Sequence, residues 1–457
     1  MRRVVVASVV AGIGALGAAA AHAETLQDAL VSTYDTNPQI LSERANLRAT
    51  DEGVPQALAG WRPTVTFNGA IGDERSENTP AAAVNAPAHQ TLQPHTYSLT
   101  MTQPLYNGGN TIARTAQAED QVQSERARLV ATESTVLFAA VQSYFDVLRD
   151  QAVVALDRNN EQVLTRQFDI TSDQFRVGEV TRTDVAQAQS ALAASTATRL
   201  TDQGTLENDS ASYTRAVGHP PAGLVQPTIQ LALPASREQA LALAASENPN
   251  IVAAQYSEDA ARDLVAATKA QLLPSLAFVG NVQRQQESQL NGREQTNLSG
   301  IAQLTMPLYE AGNIWSQARQ AIENVGKAQG VTDDARRAAV QAATQSWETV
   351  ASAGASVASL RTTIQAAQIA LDGVTQQQRV GQRTVQDVLI QQQTLLTDQV
   401  NLAKARHDQA VAEFNLSQQI GRLTAVDLKL PVRIYDVNMH YKSVRNKAIG
   451  FNADDGQ

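Results

Sequence analysis

The 457-residue chain contains no cysteine, and this single absence removes several chemistries at once. Disulfides, thiolate catalysis and cysteine-based zinc sites are excluded, as is a lipid anchor on an N-terminal cysteine. Aromatic residues make up 4% and charged residues 18% of the chain, and Gln, Ala, Ser and Thr fill the gap. A net charge of −9 implies no basic face and argues against nucleic acid as a partner. His89, His95, His219, His407 and His440 are scattered without metal-ligand spacing. No Ser/His/acid or phosphate-loop signature stands beside them, so neither an enzyme nor a cofactor is expected. After the first 21 residues no apolar run approaches the ~20 residues of a membrane helix.

The start of the chain is different. Met1-Arg2-Arg3, an apolar run to Ala21 and the small-residue end Ala21-His22-Ala23 have the three parts of a secretory signal peptide. Residues 1–23 are read as that leader, with the mature chain beginning at Glu24. Gly12-Ile13-Gly14-Ala15-Leu16-Gly17 matches a dinucleotide-binding glycine pattern, but no βαβ pattern follows it. The chain is read as exported.

What is present is a duplication. Asn37-Pro38 returns as Asn248-Pro249, and the stretch from Arg62 to Phe67 returns as Leu273 to Phe278, both 211 positions later. The offset then becomes 203: Pro104-Leu105-Tyr106 pairs with Pro307-Leu308-Tyr309, and Gly218 with Gly421. Arg176-Val177-Gly178-Glu179-Val180-Thr181-Arg182-Thr183-Asp184-Val185 likewise returns as Arg379-Val380-Gly381-Gln382-Arg383-Thr384-Val385-Gln386-Asp387-Val388. Residues 24–220 and 237–423 are therefore two repeats, joined by a Pro-rich linker at 221–236 and followed by an equatorial segment and polar tail at 424–457.

Each repeat reads as a helix (about 25–60 and about 237–271), two strands, and a pair of very long helices. Val65, Phe67 and Ile71 alternate with Thr64, Thr66 and Asn68, the period of a two-faced strand. A polar loop holding Pro80, Pro87 and Pro94 separates it from a return strand, where Tyr97, Leu99 and Met101 alternate with Ser98, Thr100 and Thr102. In the second copy Ile301 interrupts the alternation. Gly108-Gly109 and Gly312 then start helices running to the Arg-Val-Gly tips, roughly 100 Å at 1.5 Å per residue. The returning helix keeps Val385, Val388, Leu395, Leu402, Ala410 and Phe414 to one face, as coiled-coil packing requires.

The strand pattern fits a small soluble sheet with one wet face as well as strands that cross a bilayer. Four strands cannot close a barrel, and an open edge in lipid is forbidden. A membrane sheet therefore needs several chains to pool strands, and three chains would supply twelve.

These residues resemble the TolC-like outer-membrane channel-tunnel family. The resemblance runs from about Thr25 to Leu423. It rests on the two Asn-Pro pairs, the Leu-Pro before the third strand, the Pro-Leu-Tyr-x-x-Gly motifs and the two tips. It implies a mainly α fold with a transmembrane β part: a homotrimer whose twelve-stranded β-barrel continues into a periplasmic α-barrel of long antiparallel helices. It implies an outer-membrane duct extending into the periplasm, in contact with lipid and opened by a membrane-fusion adaptor and an inner-membrane transporter. The form of the first tip is most similar to members serving type I protein secretion, with multidrug efflux the alternative. A soluble periplasmic coiled-coil adaptor is the rival from another class.

Both tips also carry local signals. Thr181 with Asp184, and Thr384 with Asp387, fit helix capping boxes. Gly178 and Gly381 fit positive-φ turn positions. The resemblance implies more: Asp387 would line an acidic ring at the constriction, and Arg383 would bridge to Thr183 and Asp184. Gln378 stands where the family pattern places a Tyr in that closing network, and Ile390 where it places a second acid. Arg176, Val177, Gly178, Arg379, Val380 and Gly381 would meet the adaptor.

Overall fold

A computed structural model describes residues 23–77, 89–227, 229, 231–288 and 292–451. The leader, but for Ala23, and the Pro80 and Pro87 region lie outside the described residues.

Each repeat opens on two helices rather than one: α1 (Leu26–Thr36) with α2 (Pro38–Asp51), and α6 (Arg237–Glu247) with α7 (Pro249–Ala270). The Asn-Pro pairs make the break. Proline lacks the N–H that would continue the first helix, and it is preorganised for the first position of the next. Asn37 and Asn248 cap α2 and α7 through their side chains, and their amide groups reach the carbonyls of Ala216 and Gln419. A short helix α3 (Gly53–Leu58) carries the first repeat on to its strands.

Those strands are β1 (Thr64–Ile71), β4 (His95–Asn107), β5 (Ser275–Gln286) and β6 (Glu294–Thr305). They form one antiparallel sheet in the order β1-β4-β5-β6, so the central pair joins the two repeats. Where the sequence suggested a plain loop, β2 (Glu74–Glu77) pairs with β3 (His89–Leu92) and extends the first hairpin. The register places Phe67 opposite Leu99, Leu99 opposite Val282, and Val282 opposite Leu298. One face is thus apolar across all four strands. The other carries Thr66, Thr100, Asn281 and Ser299, with Asn281 donating to Thr100 at 2.9 Å. Ile301, which interrupts the alternation, sits on this polar face opposite Val279. β4 runs through Pro104 with a register shift between Pro104 and Tyr106, as a residue without an N–H requires.

The long helices are α4 (Asn110–Arg176) and α8 (Asn313–Arg379), each of 67 residues, returning as α5 (Arg182–Val217) and α9 (Val385–Gln419). Among the described residues, no helix is long and apolar enough to cross a membrane. In α9 the buried positions are Val385, Val388, Leu389, Leu396, Ala405, Ala412, Phe414, Leu416 and Ser417. Leu395, Leu402 and Ala410, expected on that face, are only half-buried because the seam follows the 3.6-residue turn.

The main core lies midway along α4. Tyr34, Leu137, Tyr144 and Tyr213 meet Phe414, Leu423 and Leu430 there, and Leu224 of the linker packs on the same cluster. Tyr144 donates to the Val225 carbonyl at 2.6 Å, and Tyr213 donates to Glu24. We expect Tyr144→Ala to lower stability by about 3–5 kcal/mol and Tyr144→Phe by about 1–3 kcal/mol. Denaturant melts followed by circular dichroism measure both, and a Tyr144→Phe protein as stable as wild type would leave the buried hydroxyl without a role.

The C-terminal stretch is more than a polar tail. Tyr435, Val437 and Tyr441 pack on Leu47, Val54 and Val122, and a short helix α10 (Met439–Val444) buries His440 against Asp51 at 3.0 Å. Burial raises the Asp51 carboxyl above its usual range, and His440 opposes that rise. Arg62 closes the arrangement by donating to the Lys447 carbonyl at 2.8 Å.

Candidate functional site at the helix-hairpin tips

Both hairpins turn by the same local chemistry. Gly178 N–H bonds the Phe175 carbonyl and Glu179 N–H the Gln174 carbonyl; Gly381 and Gln382 repeat the pattern on Gln378 and Gln377. This double closure needs a left-handed residue at the glycine. Gly178 has φ +83 and Gly381 has φ +75, so a side chain at either position strains the turn.

The next helix then starts on a complete capping box. Thr181 accepts from the Asp184 N–H while Asp184 accepts from the Thr181 N–H at 2.9 Å and from its hydroxyl at 2.7 Å. Thr384 and Asp387 do the same at 2.9 Å for both bonds. The Thr181 hydroxyl, then its backbone N–H, holds Asp184 below the usual carboxylate range. The Thr384 backbone N–H, then its hydroxyl, does so for Asp387. Both acids stay ionised at any ordinary pH.

Arg383 is turned toward its own tip. Its Nε lies 3.3 Å from the Gln377 side chain and its Nη1 3.9 Å from Asp387. Within one chain it makes no ion pair with Asp184, and the capping bonds occupy the Asp184 carboxyl instead. Thr183 and Ile390 are exposed, and Gln378 contributes its backbone carbonyl to the turn. Arg176 pairs with Asp173 one turn back. Val177 and Val380 are 73% and 70% exposed, an unusual position for two valines on hairpin tips. The two tips are held to one end of the molecule by a small cluster in which Val385 and Leu389 of α9 meet Leu164 of α4, with Ala191 and Leu192 of α5 against it.

The family model of the outer membrane efflux protein matches residues 26–219 and 240–422, one segment for each repeat. The chain belongs to this family. It is an outer-membrane efflux channel that extends into the periplasm, and not an enzyme. The outer membrane efflux protein BepC of Brucella suis is 34% identical over all of this chain and 98% of its own length. The outer membrane protein TolC of Vibrio cholerae is 26% identical over 97% of this chain and 99% of its own. The alkaline protease secretion protein AprF of Pseudomonas aeruginosa is 26% identical over 73% of this chain and 71% of its own. Among solved structures, the outer membrane protein VceC from Vibrio cholerae superposes with a TM-score of 0.74 at 19% identity, covering 87% of this chain and 96% of that one. That likeness carries the fold, strands included.

One set of residues escaped the sequence reading. Between α4 and α5, above the first tip, lies a seam of acids and arginines: Asp146, Arg149, Asp150, Asp157 and Glu161 face Arg199, Asp202 and Asp209. The signal was available as spacing, because Asp150 and Asp157 are one heptad apart and so are Asp202 and Asp209.

Proposed function

We propose that three copies of this chain pool their sheets into a twelve-stranded barrel, and that the duct so formed is the outer-membrane part of a type I protein secretion system. An adaptor and an inner-membrane transporter would engage it at the tips, with Arg176, Val177, Gly178, Arg379, Val380 and Gly381 as the contact. Thr183, Asp184, Gln378, Arg383 and Asp387 are the closing network in this reading, Arg383 reaching Thr183 and Asp184 of a neighbouring hairpin.

The observation that carries the assembly is the sheet. Its edge strands β1 and β6 are exposed along their whole described length, and its apolar face is continuous. Unpaired edges are not tolerated in lipid, so an outer-membrane sheet of four strands must be completed by other copies. The protein should run as a trimer by light scattering in mild detergent, and a monodisperse folded monomer would overturn the assembly.

The secretion assignment rests on the first tip sequence and is supported by the likeness to AprF. A second reading, small-molecule efflux, is favoured by the likeness to BepC over the whole chain. A deletion strain separates them. Loss of a protein from the culture supernatant with unchanged drug susceptibility supports secretion, and drug sensitivity with an unchanged supernatant supports efflux.

A further inference from the structure

The α4–α5 seam places carboxyl against carboxyl twice. Asp202 lies within hydrogen-bonding reach of Asp157, and Asp209 within reach of Asp150. Asp157 is 2% exposed and Asp150 is 5% exposed, and Oδ2 of each is buried without a donor. Asp202 and Asp209 are half-buried, so each pair sets a buried carboxylate against a partly exposed one; the two repel, and a buried oxygen without a donor is costly. One proton held between each pair removes both penalties. The Oδ2 atoms of Asp150 and Asp157 are closed to solvent, and a proton shared across the pair is what can reach them. Among the described residues no group of three His or acidic side chains could hold a metal ion.

The duplication supplies an internal control. At the positions matching Asp150 and Asp209 the second hairpin carries Ala353 and Ala412, and at those matching Asp157 and Asp202 it carries Leu360 and Ala405. The same helix pairing is therefore built without acids in one repeat and with four in the other. Packing does not require them.

We propose that the α4–α5 seam is a proton-operated latch: each carboxyl pair holds one proton when the first hairpin is closed, and losing those protons loosens the hairpin above its tip. The two pairs differ in compensation. Arg149 lies 2.8 Å from both Asp150 and Asp209, and 2.6 Å from Asp146. Arg199, the cation beside Asp157, is engaged by Glu161 at 2.6 Å and by Gln203 at 2.9 Å. The Asp157 pair is thus the less neutralised one. Burial, then contact with Asp202, raises Asp157 to about 7; burial, then contact with Asp150, raises Asp209 to about 6.

Helix α9 packs against the same seam. It brings His407, whose Nε2 lies 3.0 Å from Asp146 and whose Nδ1 lies 2.9 Å from Asp408, to one end. At the other end it offers Gln386, Gln392 and Gln393 across a cleft of ~650 Å³. Acids whose folded values lie above the unfolded 3.8 stabilise fully at low pH. That stability is lost as pH rises through about 6 and then about 7. The latch is closed in acid and loosens at neutral pH. This regulation goes beyond the export reading and holds whichever cargo passes.

Hydrogen–deuterium exchange on the full-length protein in detergent tests the latch, with residues 349–364 of α8 as the reference for the chemical effect of pH. Relative to residues 349–364 of α8, residues 146–161 and 199–209 should lose protection roughly tenfold per pH unit for each pair as pH rises from the unfolded value of 3.8 toward about 6 and about 7, and level off above about pH 7. In Asp157→Asn/Asp209→Asn, which mimics the shared proton, the ratio should stay flat. Asp157→Leu/Asp202→Ala, borrowing the residues of the second hairpin, should also be flatter than wild type. His407 is intact in both variants, so its titration is separated from that of the carboxyl pairs. A wild-type ratio that does not change with pH, or an Asn variant that titrates as wild type does, overturns the proposal.

Discussion

Leu99→Arg is expected to prevent recovery of the trimer from the outer membrane, while Thr100→Arg, one residue along, is expected to assemble. Leu99 sits mid-sheet between Phe67 and Val282, on the face that is apolar across all four strands. Thr100 points the other way and accepts a hydrogen bond from Asn281. A basic residue facing lipid at mid-bilayer costs about 2–4 kcal/mol per chain. Three copies cost about 6–12 kcal/mol, comparable with the whole stability of an ordinary domain. On a lumen-facing side the same charge stays in water. Membrane fractionation followed by light scattering in mild detergent reads the difference, and equal assembly of the two variants would show that the sheet does not meet lipid on that face.

Arg383→Ser should raise single-channel conductance in planar bilayers, and Asp387→Ala should mainly lower cation preference and block by multivalent cations. The first removes the basic member of the proposed closing network. Three symmetry-related copies act on one constriction, so a modest bias per contact multiplies into a population shift of about tenfold. The second removes the proposed ring of negative charge, and rings of acids favour cations. Asp387 is also a capping residue, which makes a control necessary. Thr384→Ala breaks the same box but keeps the charge, so it should lower stability and leave ion preference as in wild type. Wild-type behaviour of both Arg383→Ser and Asp387→Ala channels would leave the tips as capped turns and place the gate elsewhere.

The local features of this protein were legible because a few neighbouring residues decide each of them. Gly178 and Gly381 supply the left-handed turn, Thr181 and Thr384 the caps, and the alternation around Phe67 and Leu99 the two-faced strands. The duplication was legible as well, since a constant offset needs no structure to be seen. The sequence had marked the Asn-Pro pairs as repeat signals, and the structure shows that they split a helix. What only the tertiary structure decided is which distant residues face one another. Asp157 meets Asp202, and Asp150 meets Asp209, because the first tip sets the register of α4 against α5. The tail docks Tyr441 and His440 beside α2 and α4, more than 300 residues away in sequence. A residue's own spacing says which side of a helix it occupies, but its partner depends on the register and order of whole elements. That depends on packing many weak contacts together across the fold, and no short stretch of sequence contains it.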